Sequence, residues 1–273
     1  MGFGNRLVEA GRTHGRLCVG IDPHAALLQQ WGLANTVAGL RTFAMTCVEA
    51  FGGHVAAIKP QVAFFERFGA QGFAVLEETL ASARELGTIT IADAKRGDIG
   101  STMAGYAAAW LEPGAPLEAD ALTLTPYLGV GSLAPAIELA QQHGKGVFVM
   151  SANSNPEAEQ FQSSTLNGGV TVAQFMADEC AKFNADAALR GEVGDVGVVV
   201  GATVDTPPAL ESLNAPVLMP GVGAQGATFA DVDRIAGKRA HLVFPNVSRS
   251  VLRHGPNVSD LRNQAVELGK RDN

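Results

Sequence analysis

The sequence predicts a single-domain (β/α)8 (TIM) barrel. Eight short runs rich in Val, Ile and Leu recur along 273 residues, and each is followed by a longer segment of helical character. A barrel of this kind needs about 250 residues. Most of the runs are near-continuously apolar, as parallel strands buried on both faces must be. No linker, charge block or low-complexity stretch divides the chain. A doubly wound parallel sheet is the alternative that counting elements leaves open.

The expected strands, in order, are residues 17–22, 54–59, 88–94, 121–127, 146–151, 196–202, 216–221 and 242–247. Between them, 78–86 carries Glu, Leu, Ala and Arg at helical spacing and stops at Gly87, a natural C-terminal cap. Residues 101–110 are Ala-rich and end before Pro113, and 170–189 is long enough for a full crossover helix. The polar stretch 153–169, rich in Ser, Asn, Gln and Gly, reads as a long loop after the fifth strand.

Composition narrows the function classes. Apolar residues make up 47% of the chain and charged residues 17%, enough for a large core and against disorder. The net charge of −7 lacks the basic footprint of a nucleic-acid or membrane-surface protein, although a local pocket can still be positive. Cys18, Cys47 and Cys180 are odd in number and far apart, which argues against a disulfide framework or a cysteine zinc site. No run approaches the ~18 apolar residues of a spanning helix. Residues 1–6 lack the apolar core of a signal peptide, and Arg6 stands where a myristoylation motif following Gly2 wants Ser or Thr. A soluble, cytoplasmic protein is expected.

In a barrel the C-terminal strand ends form the face on which chemistry is built. Asp22, Lys59, Asp93, Lys95, Thr125, Ser154 and Arg249 fall at or just beyond those ends. Side chains at i and i+2 of a strand share a face, so Asp93 and Lys95 project together and Ala94 faces away. Gly97 permits a sharp exit, Asp98 returns a second carboxylate, and Lys59 can bring a second ammonium from the preceding strand. Alternating charges keep each group ionised against desolvation. Such a set could be an ion-pair network closing the barrel. It could equally fix the Lys95 ammonium beside a reacting carbon, to stabilise negative charge and donate a proton. A Schiff-base role needs a lowered lysine pKa, which flanking carboxylates oppose, and is the weaker reading.

Gly221-Val222-Gly223-Ala224-Gln225-Gly226 matches G-x-G-x-x-G in form. A dinucleotide fold places that pattern in its first βαβ unit with an acidic residue about twenty positions later, and neither condition holds here. After a seventh barrel strand, the same glycines suit a phosphate site, with Arg249 adding a guanidinium. The six histidines are scattered without a metal-binding spacing, and Ser151 and Ser154 lack a Gly-x-Ser-x-Gly context.

Asp93-Ala-Lys95-Arg-Gly-Asp98-Ile99-Gly-Ser-Thr102 resembles the signature of the orotidine 5′-phosphate decarboxylase family. The resemblance extends through Gly20-Ile21-Asp22-Pro23, Ile58-Lys59-Pro60-Gln61, Thr125-Pro126-Tyr127-Leu128-Gly129, Ser154-Asn155-Pro156 and Val200-Gly201-Ala202-Thr203. It continues through Pro220 to Gly226 and Ser248-Arg249-Ser250, in the order of the family's longer-chain (type 2) subgroup. Asn153 stands where that subgroup is expected to carry Thr, and Ser248 where shorter members carry Gly.

The resemblance implies a homodimeric barrel with shared active sites. It would convert orotidine 5′-phosphate to UMP and CO2, the last step of UMP synthesis, with no cofactor and no metal. It further implies Lys95 as proton donor to C6 of the pyrimidine, Asp93 against the leaving carboxylate, and Lys59 between the charged network and the ribose. Asp98 and Thr102 would reach into the neighbouring subunit's site. Asp22 would contact ribose, Ser154 the pyrimidine, Gln225 both pyrimidine and phosphate, and Arg249 the phosphate.

Overall fold

The computed structural model describes residues 1–223 and 225–270. All eight expected strands form and close in chain order into one barrel. They are β1 (Cys18–Ile21), β2 (Ala57–Pro60), β3 (Ile89–Arg96), β4 (Ala121–Leu124), β5 (Gly146–Ala152), β6 (Val196–Val200), β7 (Val217–Pro220) and β8 (Val243–Val247). Closure comes from β1 pairing in parallel with β8 through Cys18↔Asn246 and Val19↔Val247. An open doubly wound sheet lacks such a contact, so that alternative falls.

Strand alternation sorts the core into two layers. Val19, Ile58, Ala92, Leu122, Val149, Val198, Val217 and Val243 point outward and pack under the helices. Cys18, Ala57, Ile89, Ile91, Ala121, Phe148, Met150, Val199, Leu218 and Phe244 fill the barrel interior. Apolar residues on both faces explain why these strands read as unbroken hydrophobic runs.

The N-terminal end of the barrel is plugged by the helix Phe3–His14. Phe3, fully buried, meets Phe148 edge to face with ring centroids 5.8 Å apart. A Cβ on Gly146 would lie 2.1 Å from the Phe3 ring, so the first residue of β5 must be glycine for the plug to seat. Asp195, just before β6, accepts the Gly4 N–H at 2.9 Å, and Arg6 pairs with Asp120 at 2.9 Å. The carboxylate thus sits at a helix N-terminus, where negative charge is favoured.

Three helical expectations need correction. The helix placed at 78–86 runs over Gly69–Glu85; it starts with no side-chain cap, so nothing local marks its beginning. Gly87 follows it with φ +70°, the left-handed turn expected of it. The crossover at 170–189 is broken into Val172–Phe183 and Ala185–Leu189. At the break, the Asn184 amide donates to the carbonyls of Cys180, Val196 and Leu213. The stretch 153–169 is not one loop but contains the helix Pro156–Gln162, with Pro at its start and Glu157 and Glu159 in its first turn.

Candidate functional site

Inward-facing positions on β2, β3 and β4 hold Ala57, Ile91 and Ala121 deep in the barrel. Two residues further on, at the C-terminal mouth, the same face carries Lys59, Asp93 and Thr123, all buried. Lys59 Nζ donates to Asp93 Oδ2 at 2.5 Å, and Lys95 Nζ to Oδ1 at 2.5 Å. Gln61 Nε2 donates to Oδ2 at 2.9 Å, and Thr123 Oγ1 to Oδ1 at 3.0 Å. Each Asp93 oxygen therefore accepts from one ammonium and one neutral donor.

This arrangement decides the protonation states. Burial alone would raise the Asp93 carboxyl, but the Lys59 and Lys95 ammoniums outweigh it and hold Asp93 well below the usual carboxylate range. Burial would likewise lower Lys59, yet Asp93 and then Asp22 hold it above the usual ammonium range. The Lys95 side chain is 42% exposed, against 8% for Lys59, so Lys95 is the ammonium presented to the mouth. β3 reaches Lys95 through an irregularity in its pairing with β4, and Lys95 itself has φ +49°. A Cβ on Gly97 would lie 2.3 Å from the Thr125 carbonyl oxygen, so glycine there lets the chain leave the strand against its neighbour.

A cavity of about 290 Å³ opens above these groups. Of the expected site residues, Asp22, Lys59, Asp93, Lys95, Ser154 and Gln225 line it. A Cβ on Gly221 (φ +113°) would stand 3.1 Å from Gln225 Oε1 and 3.7 Å from Ser154 Oγ. The glycine loop thereby brings the end of β7 close to the segment after β5. Ala224, inside that loop, lies outside the described residues. Asp22 Oδ1, Ser248 Oγ and Ser250 Oγ are buried without a hydrogen-bond partner among the described residues. Buried polar atoms rarely stay unpaired, so each of these three is open to a partner that the described residues do not supply.

Other expected residues stand apart. Thr125 lines an adjoining cavity of about 380 Å³ that Lys95 shares with Met150, Phe161, Val172 and Met176. Arg249 is exposed at the end of β8, outside the residues lining the 290 Å³ cavity. Asp98 accepts the N–H of Ile99 at 2.8 Å, and neither it nor the exposed Thr102 lines that cavity. Beside them, Ile99, Tyr127, Leu128 and Phe161 are 61%, 77%, 56% and 50% exposed. Ile99 follows β3, Tyr127 and Leu128 follow β4, and Phe161 follows β5, so they occupy neighbouring sectors of one rim.

Three residues of the cavity region were missed in the sequence. Gln61 follows Lys59 at i+2, a spacing that marks a shared face. Thr123 interrupts an apolar strand at an inward position. Gln162 gave no local signal: its amide accepts the Asn153 N–H at 2.6 Å and donates to Asn153 Oδ1 at 2.9 Å, tying the short helix to the residue before Ser154. The three cysteines are buried and unpaired. Burial pushes the Cys18 and Cys180 thiols up to about 12, which removes them as nucleophiles. Among the described residues, no group of three or more His, Cys, Asp or Glu side chains is placed to hold a metal ion.

Residues 15–263 match the model of the orotidine 5′-phosphate decarboxylase / HUMPS family. The chain is 56% identical over 267 residues to the orotidine 5′-phosphate decarboxylase of Corynebacterium glutamicum strain R, covering 98% of this chain and 96% of the relative. It is 58% identical over 260 residues to that of Corynebacterium efficiens, covering 95% and 93%. A crystal structure from Streptomyces avermitilis superposes with a TM-score of 0.94 at 52% identity, covering 98% of this chain and 94% of that one. The chain belongs to the orotidine 5′-phosphate decarboxylase / HUMPS family.

Proposed function

We propose that this protein is a cytoplasmic, homodimeric orotidine 5′-phosphate decarboxylase that forms UMP and CO2 in the last step of pyrimidine nucleotide synthesis. The observation that carries the reading is the Asp93 carboxylate held between two ammoniums at the mouth of the barrel, with Lys95 the exposed member. Relatives named as this decarboxylase, at 56% and 58% identity, favour this activity over the other activities of the family.

In the proposed reaction the bond between C6 and the carboxylate breaks heterolytically and CO2 departs. The electron pair stays on C6 and takes a proton from Lys95 Nζ, leaving a neutral amine that regains its proton from water. Water stabilises such a carbanion poorly. A preorganised ammonium stabilises the charge as it develops and costs no reorganisation at that moment. The four donors on Asp93 keep it ionised and keep Lys95 aimed.

Phosphate and ribose supply binding energy away from the reacting carbon. Arg249, Gln225 and the glycine loop would hold the phosphate. The unpartnered Asp22 Oδ1 suits a ribose hydroxyl, and Ser154 the pyrimidine edge. Asp98 and Thr102 lie outside their own chain's cavity, on a rim with four exposed apolar side chains, which suits contribution across a dimer. The test is to follow the loss of orotidine 5′-phosphate absorbance with and without a chelator. Chelator-indifferent conversion to UMP is expected. No conversion, or conversion abolished by the chelator, would contradict the proposal and favour a metal-dependent sugar-phosphate reaction.

A further inference from the structure

The proposed chemistry needs the Lys95 ammonium in one place, yet Lys95 stands on backbone that non-glycine residues seldom adopt, at φ +49°. The pairing of β3 with β4 explains how it comes there. The strands are in register through Ala92↔Leu122 and meet again at Arg96↔Leu124. Asp93, Ala94 and Lys95 thus lie opposite the single residue Thr123, and the regular ladder is interrupted beside the reactive lysine.

Thr123 fills that interruption with its side chain. Its Oγ1 accepts the Lys95 backbone N–H at 2.9 Å and donates to Asp93 Oδ1 at 3.0 Å. Asp93 is ionised and can only accept, so the hydroxyl proton must point to it, which leaves the oxygen lone pairs for the Lys95 N–H. Asp93 Oδ1 is also the atom that receives Lys95 Nζ. One buried hydroxyl therefore ties both ends of Lys95, its backbone directly and its ammonium through the carboxylate.

We infer that Thr123 is a positioning residue for the reaction: its hydroxyl holds Lys95 in the left-handed conformation and sets the Asp93 oxygen against which the ammonium is aimed. The inference rests on the proposal that Lys95 protonates C6. An unheld lysine would still be charged but would not stand at a fixed distance from the reacting carbon, and a misplacement of about 1 Å can cost about 100-fold in rate.

Thr123→Val keeps the shape and removes the hydroxyl, whereas Thr123→Ser keeps the hydroxyl and removes the methyl. Steady-state turnover of orotidine 5′-phosphate and inhibition by UMP would be measured for both. The valine variant is expected to lose roughly 10- to 100-fold in kcat with KM and the UMP inhibition constant within about threefold of wild type. The serine variant is expected to recover kcat to within a few-fold. Retention of kcat by the valine variant would overturn the inference. So would an equal loss in both variants, which would mean that the methyl packing matters, or a rise in KM that accounts for the whole effect. Should the valine variant not fold, Thr123→Cys replaces it; the thiol bonds weakly, so an intermediate kcat is expected and wild-type kcat would overturn the inference. Lys95→Ala, assayed alongside, separates the two claims. Turnover retained there removes the Lys95 reading whatever Thr123 does, whereas turnover lost there with Thr123→Val unaffected removes only the positioning role.

Discussion

Replacing Asp93 by asparagine preserves the shape of the side chain and removes the one charge that directly pairs both ammoniums. Lys59 bears the larger consequence because its side chain is only 8% exposed and its Nζ lies 2.5 Å from Asp93. Burial pulls its pKa down, and Asp93 is the first of the groups that hold it up, with Asp22 next. Removing one partner of a buried pair costs about 3–5 kcal/mol, and because Asp22 remains, the lower end of about 3 kcal/mol is expected at pH 7. The pH dependence has a definite sign. In the wild type, Lys59 is raised in the folded state, so its contribution is complete below about pH 10.4 and is lost as pH climbs through the folded value. Asp93 is depressed, so its contribution is present above about pH 4 and lost in more acid solution. In Asp93→Asn the buried Lys59 is expected to titrate below its unfolded value, and its penalty is relieved as pH rises. The stability gap should therefore narrow between pH 7 and pH 10, read from urea unfolding at each pH. A gap under about 1 kcal/mol at pH 7 would refute the reasoning, as would a gap unchanged at pH 10.

Other outcomes follow from the same structure. Phe3→Ala removes the fully buried ring that plugs the barrel beneath Phe148 and should cost about 3–5 kcal/mol in denaturant unfolding, with KM unchanged in the folded fraction; a loss under about 1 kcal/mol would show that the plug is dispensable. Arg249→Ala should raise KM for orotidine 5′-phosphate by about 10- to 100-fold, the worth of about 1.5–3 kcal/mol in charged hydrogen bonds, while leaving uridine binding as it was. Equal loss for nucleoside and nucleotide would count against a phosphate role. Mixing inactive Lys95→Ala with inactive Asp98→Ala should restore activity after subunit exchange, because one mixed site regains both groups; no recovery after verified exchange would show that Asp98 does not act across the dimer.

The strands were readable because both barrel faces are apolar, so runs such as Gly146–Ala152 are hydrophobic nearly throughout. Their ends were less so. His54 was placed inside the second strand but is exposed, and β2 starts only at Ala57. The third strand continues past Ala94 to Arg96 through the irregularity at Lys95, which depends on pairing with β4. Asn184 breaks a helix while its amide bonds the Cys180 carbonyl one turn back and the carbonyls of Val196 and Leu213 further along the chain, and nothing local announces the latter two. In the site, Asp93 and Lys95 were readable from a spacing of two. Thr123 and Gln162 were not, since their partners are set by strand register and by a helix read as loop. Asp98 and Arg249 were readable as charges beyond strand ends and Thr102 only through the family resemblance, and one chain alone does not bring any of the three into the cavity.

The most direct test of the proposed chemistry is to measure UMP formation and UMP binding together in Lys95→Ala. Lys95 carries the reacting ammonium but is one lining residue among many, so the variant should bind UMP close to wild type while forming no detectable UMP from orotidine 5′-phosphate. UMP formation retained at the wild-type rate would contradict the role of Lys95 as proton donor.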